Sequence, residues 1–148
     1  MSDKQVIQIL NELIETSKDG QYGFAKCAER AESASLKQTL QARAAECESA
    51  AVELQALVLQ HGGSPEDHGT ISGALHRGWV SVKDALTGSS DHALLEECER
   101  GEDVALARYR KALKQQLPID VQQTIGRQLM GVQANHEQIK TLRDSVTT

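Results

Sequence analysis

Residues 35–63 read SLKQTLQARAAECESAAVELQALVLQHGG, and this stretch decides the fold class. Ser35 and Gln38 have the spacing of a capping box, in which two side chains bond the free amides of a first helical turn. Gly62 and Gly63 are typical of a helix end. Between these signals, apolar or small residues recur every three or four positions, which predicts one long amphipathic helix. The stripe consists of Leu36, Leu40, Ala44, Cys47, Ala51, Leu54, Val58 and His61.

The same kind of pattern occurs four more times in the chain. A first helix begins at a capping box of Ser2 and Gln5 and runs to about residue 31. A short helix covers roughly residues 70–86, Asp91 caps the next long helix, and Pro118 starts the last one. The order long, long, short, long, long predicts an all-α, ferritin-like four-helix bundle. Its additional short helix lies in the crossover between the second and third long helices. A five-helix up-and-down array is the alternative.

Composition and charge narrow the functional classes. The net charge is -5 and the basic residues are spread among acidic ones, so we expect no nucleic-acid partner. No apolar run is long enough to span a membrane, and the amino terminus lacks the pattern of a signal peptide. Three widely spaced cysteines indicate free thiols. We expect one cytoplasmic domain over residues 1–148, assembled as a homodimer because two-fold dimers are the commonest oligomers.

Polar residues interrupt the apolar stripes near the middle of the long helices. Glu102 and His136 each stand between apolar neighbours, while Glu15, Asp19 and Glu46 border the stripes of the first two helices. An ionisable side chain in a bundle core is costly unless it is paired, so we expect a shared polar cluster in which Glu102 and His136 contact each other. The cluster is either a structural pair or a metal or catalytic site, unless the stripe is rotated and Glu102 lies at the rim.

Three stretches carry a resemblance to a known family. They are LNELIETSKDGQYGF at residues 10–24, GALHRGW at residues 73–79 and ECERGED at residues 97–103. In these stretches the chain resembles a bacterial family of ferritin-like four-helix-bundle proteins of unknown function, some of whose relatives are linked to stress responses. The resemblance covers nearly the whole chain and implies the bundle fold.

The resemblance also implies where a metal would bind. Di-metal members of the ferritin-like superfamily use a Glu from each of two helices and a Glu-x-x-His motif from each of the other two. In this sequence Gln133 takes the place of the Glu that precedes His136, and Ser49 takes the place of the His that follows Glu46. These two replacements argue against a full di-iron centre and leave a weaker iron or manganese site as the alternative. Its candidate ligands are Glu15, Asp19, Glu46, Glu102 and His136.

Two functions follow from these patterns. The first is a stress-associated bundle that acts as an interaction or structural protein, with at most a degenerate metal site. The alternative is a non-haem iron or manganese carboxylate oxidoreductase of the rubrerythrin or ferritin type. Trp79 is predicted to pack the short helix onto the bundle, with His76 beside it in a structural role.

Overall fold

The computed structural model describes residues 2–64 and 90–146. Every regular element in these two ranges is an α-helix, which confirms the predicted all-α class. The predicted short helix at about residues 70–86, together with His76 and Trp79, lies outside the described residues. The described helices are α1 (Asp3–Arg30), α2 (Ala34–Gln60), α3 (Asp91–Leu113) and α4 (Ile119–Ser145).

Serine side chains cap the amino-terminal ends of three of these helices. The capping box of Ser2 and Gln5 is present as predicted. Two other predicted caps are wrong by one or two residues, because α2 is capped by Ser33 rather than Ser35 and α3 by Ser90 rather than Asp91. In both cases the hydroxyl of the capping serine accepts a hydrogen bond from the backbone amide three residues later, in the first turn of the helix.

Contacts at the two ends of the bundle set the topology. At the first end the Asp91 carboxylate, at the start of α3, accepts the backbone amides of Glu32 and Ser33 in the α1–α2 loop at 2.8 and 3.0 Å. At the other end His61, just after α2, lies 3.0 Å from Asp120 at the start of α4. Since α2 ends where α4 begins and α3 begins where α1 ends, the connection from α2 to α3 joins opposite ends of the bundle. This is the crossover connection of the predicted ferritin-like fold.

The core consists of two apolar clusters separated by a polar layer. One cluster lies near the α1–α2 loop and includes Phe24, Leu40 and Cys98. The other lies toward the opposite end and is built from residues such as Leu10 and Leu54. Between them the buried residues are mostly polar, as the interrupted stripes predict. They include Thr16, Ser17, Asp19, Arg43 and Glu102.

Gly20 allows α1 and α2 to approach closely beside this polar layer. The helix continues through Gly20 without a break. A Cβ atom at this position would lie 2.9 Å from the Sγ of Cys47 on α2, which is closer than side-chain atoms normally pack. The glycine is therefore required by contact with α2, although it costs helix propensity.

We expect Gly20→Ala to lower the free energy of unfolding. Overpacking costs about 1–3 kcal/mol, which exceeds or matches the gain of about 1 kcal/mol in helix propensity. In a Cys47→Ala background the same change should become stabilising, because the obstructing sulfur is gone. Gly126→Ala is the matched control, since a Cβ there meets nothing within 4 Å. Urea denaturation of the unaltered protein and of these four variants gives the free energies of unfolding. Equal effects of Gly20→Ala in both backgrounds would contradict this packing.

Candidate functional site

A buried ion pair between Arg43 and Glu102 lies at the centre of the polar layer. The Nε of Arg43 donates to the Oε1 of Glu102 at 2.7 Å. The side chains are 9% and 1% exposed, so the two charges are removed from water together. The pair joins α2 to α3 across the bundle.

Arg43 also contacts a second carboxylate. Its Nη1 donates to the Oε2 of Glu46, one turn along α2, at 3.4 Å. The same Glu46 oxygen accepts from the Nδ2 of Asn135 on α4 at 2.9 Å. Glu46 is 53% exposed, so one guanidinium joins a buried carboxylate to a carboxylate at the solvent edge.

The aromatic ring of Phe24 completes the surroundings of the guanidinium. The Cζ of Arg43 lies 5.4 Å from the ring centroid, within the range of a cation–π contact. Phe24 comes from α1 and is 1% exposed. Three helices therefore fix the position of the Arg43 side chain.

Burial and charge change the ionisation of these groups in opposite directions. Burial raises the pKa of Glu102, while Arg43 and then His136 lower it in part. Burial alone would lower the pKa of Arg43, but Cys47, Glu102 and Glu46 raise it above its ordinary value. Burial also raises the pKa of Cys47 to about 12, so its thiol is protonated at neutral pH. The site therefore holds a permanent cation and no thiolate nucleophile at Cys47.

A separate hydrogen-bond chain is centred on Tyr109, which belongs to the other apolar cluster. The Tyr109 hydroxyl donates to the Oε1 of Gln128 at 2.7 Å and lies 3.4 Å from the Ser17 Oγ. Gln128 in turn donates to Glu53 at 2.7 Å. Burial raises the pKa of Tyr109 to about 12, so its hydroxyl stays neutral and acts as a donor.

These groups line a central cavity of about 900 Å³. Its wall takes residues from all four described helices, and its open side lies between α2 and α4, where Ser49 and Gly131 are exposed. The wall combines apolar side chains with charged and polar ones. The polar members that matter for the site are Asp19, Arg43, Glu46, Glu102, Tyr109 and Gln128.

Comparison with known proteins identifies the family. Residues 5–115 match the family described as "Domain of unknown function (DUF2383)". This chain belongs to that family. No curated protein matches the sequence. Among solved structures, a Mycobacterium smegmatis Dps1 mutant is similar, with a TM-score of 0.81 over 95% of this chain and 96% of that chain, at 14% sequence identity. The bundle of this DUF2383 protein is therefore ferritin-like in fold.

The predicted site residues have different partners from those expected. Glu102 bonds Arg43 rather than His136. His136 lies 2.7 Å from Asp103, the next residue along α3, so the predicted direct Glu102–His136 contact is replaced by two neighbouring pairs. Asp19 is buried beside the same cavity, whereas Glu15 is only half-buried. The two pairs are neighbours, because Glu102 and Asp103 are consecutive residues of α3.

The residues present do not fit the di-metal centre that the ferritin-like fold implies. Within residues 2–64 and 90–146, no three His, Cys, Asp or Glu side chains are grouped so that they could hold a metal ion. The carboxylates of Glu46 and Glu102 instead converge on Arg43, which already supplies a positive charge between them. Oxygen ligands that neutralise a guanidinium are not free to surround a metal as well.

Sequence reasoning missed two residues of this site. Arg43 fits the three-four spacing between Leu40 and Cys47 as well as Ala44 does, and that spacing was the available signal. On α4 Gln128 is buried, whereas its apolar neighbour Leu129 is half-buried. The three cysteines are free and buried, as predicted. In the part of the chain that the structure describes, no helix is long and apolar enough to cross a membrane.

Proposed function

We propose that this DUF2383 protein is a ferritin-like binding protein rather than an oxidoreductase, and that its central cavity is the binding site. Arg43 carries this proposal. It places a fixed cation among the carboxylates where di-metal relatives of the fold need metal ions. A guanidinium neither changes oxidation state nor activates oxygen, so it gives the site recognition chemistry only.

The cavity supports a binding role. Its volume of about 900 Å³ lies within the range of roughly 300–1,000 Å³ that is usual for small-molecule sites. Apolar side chains such as Val132 line it together with charged groups, and it opens between two helices. A small molecule with both apolar and polar groups is the ligand class that such a lining favours.

The wider setting of the protein is part of the same proposal. Resemblance to a bacterial family with stress-linked relatives supports a stress-associated role. The free thiols and the acidic composition support a cytoplasmic location for a single domain of residues 1–148.

Homodimerisation is also part of the proposal, because a dimer would cover exposed apolar side chains. Sedimentation velocity, which measures the mass of the assembly in solution, tests it. These side chains are Val52 and Leu59 on α2 and Ile119 and Met130 on α4.

The alternative is a degenerate iron or manganese oxidoreductase. One observation favours it, because His136 contacts Asp103, the residue next to Glu102 on α3. A weak single-ion site stays a prediction of the sequence. Its candidate ligands are Glu15, Asp19, Glu46, Glu102 and His136.

Metal content and iron oxidation distinguish the two functions. We expect protein purified from cells grown with added iron and manganese to carry far less than one metal ion per chain. Added Fe²⁺ should oxidise in air at the rate measured in buffer, because Arg43 leaves no open carboxylate site. Glu102→Gln and His136→Ala serve as matched variants. Stoichiometric metal and iron oxidation in the unaltered protein, both lost in these variants, would contradict the proposal and establish the oxidoreductase.

A further inference from the structure

The position of Arg43 suggests a specific role for its charge. Two carboxylates on different helices converge on one guanidinium, with Glu102 at 2.7 Å from Nε and Glu46 at 3.4 Å from Nη1. The guanidinium lies in the polar layer between the two apolar clusters, and its side chain is 9% exposed. The arrangement is that of a bound cation with oxygen ligands, except that the cation is covalently part of α2.

Electrostatics explain why some cation is needed here. Two ionised carboxylates near one point repel each other, and the burial of Glu102 makes that repulsion costly. A positive charge between them removes the repulsion. A hard divalent cation would serve as well, since Mn²⁺ and Mg²⁺ are held by one or two carboxylates together with water. A guanidinium and a divalent cation cannot share the position, because their charges repel.

We propose that Arg43 is a built-in replacement for a metal ion, and that its guanidinium excludes divalent cations from the carboxylates of Glu46 and Glu102. When a neutral side chain stands at position 43, these two carboxylates take up one hard divalent cation, with water as its remaining ligands. Asn135, which donates to Glu46, keeps that carboxylate oriented toward the position. This role of Arg43 goes beyond the proposed binding function, whose test measures metal in protein that retains Arg43.

Manganese binding to matched variants tests the inference. Mn²⁺ is the probe, because the electron paramagnetic resonance signal of its free aquo ion falls when it binds. We expect Arg43→Gln to bind one Mn²⁺ per chain at least about tenfold more tightly than the unaltered protein, which corresponds to about 1.4 kcal/mol. Arg43→Lys retains the positive charge and should bind no more tightly than the unaltered protein. Adding Glu102→Gln to Arg43→Gln should abolish the gain.

A second arginine provides the control for charge alone. Arg143 on α4 pairs with Glu99 on α3 and with Asp144, the next residue along α4. It is more exposed than Arg43, at 25% against 9%, so water and salt screen the repulsion between its two carboxylates. Arg143→Gln removes the same charge from the chain and should gain no Mn²⁺ site.

Three results would overturn the inference. They are equal Mn²⁺ affinity in Arg43→Gln and the unaltered protein, an equal gain in Arg143→Gln, and a gain that survives Glu102→Gln. If Arg43→Gln does not fold alone, it is refolded with and without Mn²⁺ and followed by circular dichroism. Helicity regained only with Mn²⁺ supports the inference, and helicity that Mn²⁺ does not restore overturns it. None of these results alters the metal content of the unaltered protein, so the proposed function is tested separately.

Discussion

Arg43→Met is expected to lower the free energy of unfolding by about 3–5 kcal/mol at neutral pH, the usual cost of breaking a buried ion pair from one side. The variant leaves the Glu102 carboxylate, which is 1% exposed, without the donor that lies 2.7 Å away in the unaltered protein. The cost therefore measures an uncompensated buried charge rather than the strength of one hydrogen bond. Urea denaturation followed by far-ultraviolet circular dichroism gives the value.

A double variant separates these two contributions. In Arg43→Met/Glu102→Leu both charges are absent, and apolar replacement of a buried pair is often neutral or stabilising. We expect the double variant to be more stable than Arg43→Met alone. Arg127→Met is the matched control, because its pair with Glu53 is 63% and 39% exposed and such pairs contribute about 0–1 kcal/mol. A double variant less stable than Arg43→Met would contradict the interpretation.

The loss caused by Arg43→Met should also depend on pH. Burial raises the pKa of Glu102 above its ordinary value of 4.5, so the folded protein holds this proton more tightly than the unfolded chain. Ionisation of Glu102 therefore costs stability as the pH rises through the folded-state pKa, and the cost is absent below the unfolded value. Arg43 lowers that pKa, so its removal raises the pKa further and enlarges the cost. The difference between the two proteins should be smaller near pH 4.5 than near pH 8.

The fold could be predicted because its signals are local and repeated. Spacings of three and four along each stripe fix which residues face the core, and Pro118 marks the start of α4. The polar layer could also be predicted, since Ser17 and Glu102 interrupt apolar stripes and are buried. The exact capping residues were harder, because Ser33 and Ser35 are both good caps two positions apart.

Partners across the bundle could not be predicted, because they depend on the rotation of each helix about its axis. Successive side chains on a helix point about 100° apart. A small error in the predicted rotation of a helix therefore assigns a contact to the wrong one of two adjacent residues. Asp103 rather than Glu102 contacts His136 for this reason. Arg43 was missed because arginine is usually assigned to the solvent face, although its position is compatible with the stripe.

Phe24→Ala is the second change expected to have a large effect, with a loss of about 3–5 kcal/mol in the free energy of unfolding. Phe24 is the single phenylalanine of the chain and is 1% exposed in the apolar cluster near the α1–α2 loop. Its truncation leaves a cavity in that cluster. It also removes the ring face on which the Arg43 guanidinium lies, at 5.4 Å from the centroid.

Phe24→Leu distinguishes the cavity from the ring contact, because leucine restores much of the apolar volume but offers no π face. A desolvated cation–π contact contributes about 2 kcal/mol, so Phe24→Leu should cost clearly less in an Arg43→Met background than in the unaltered protein. Leu10→Ala, in the other apolar cluster, should cost the same in both backgrounds and serves as the control. If Phe24→Leu and Arg43→Met were additive, the ring would contribute only its volume. The position of Arg43 would then rest on its two carboxylates alone.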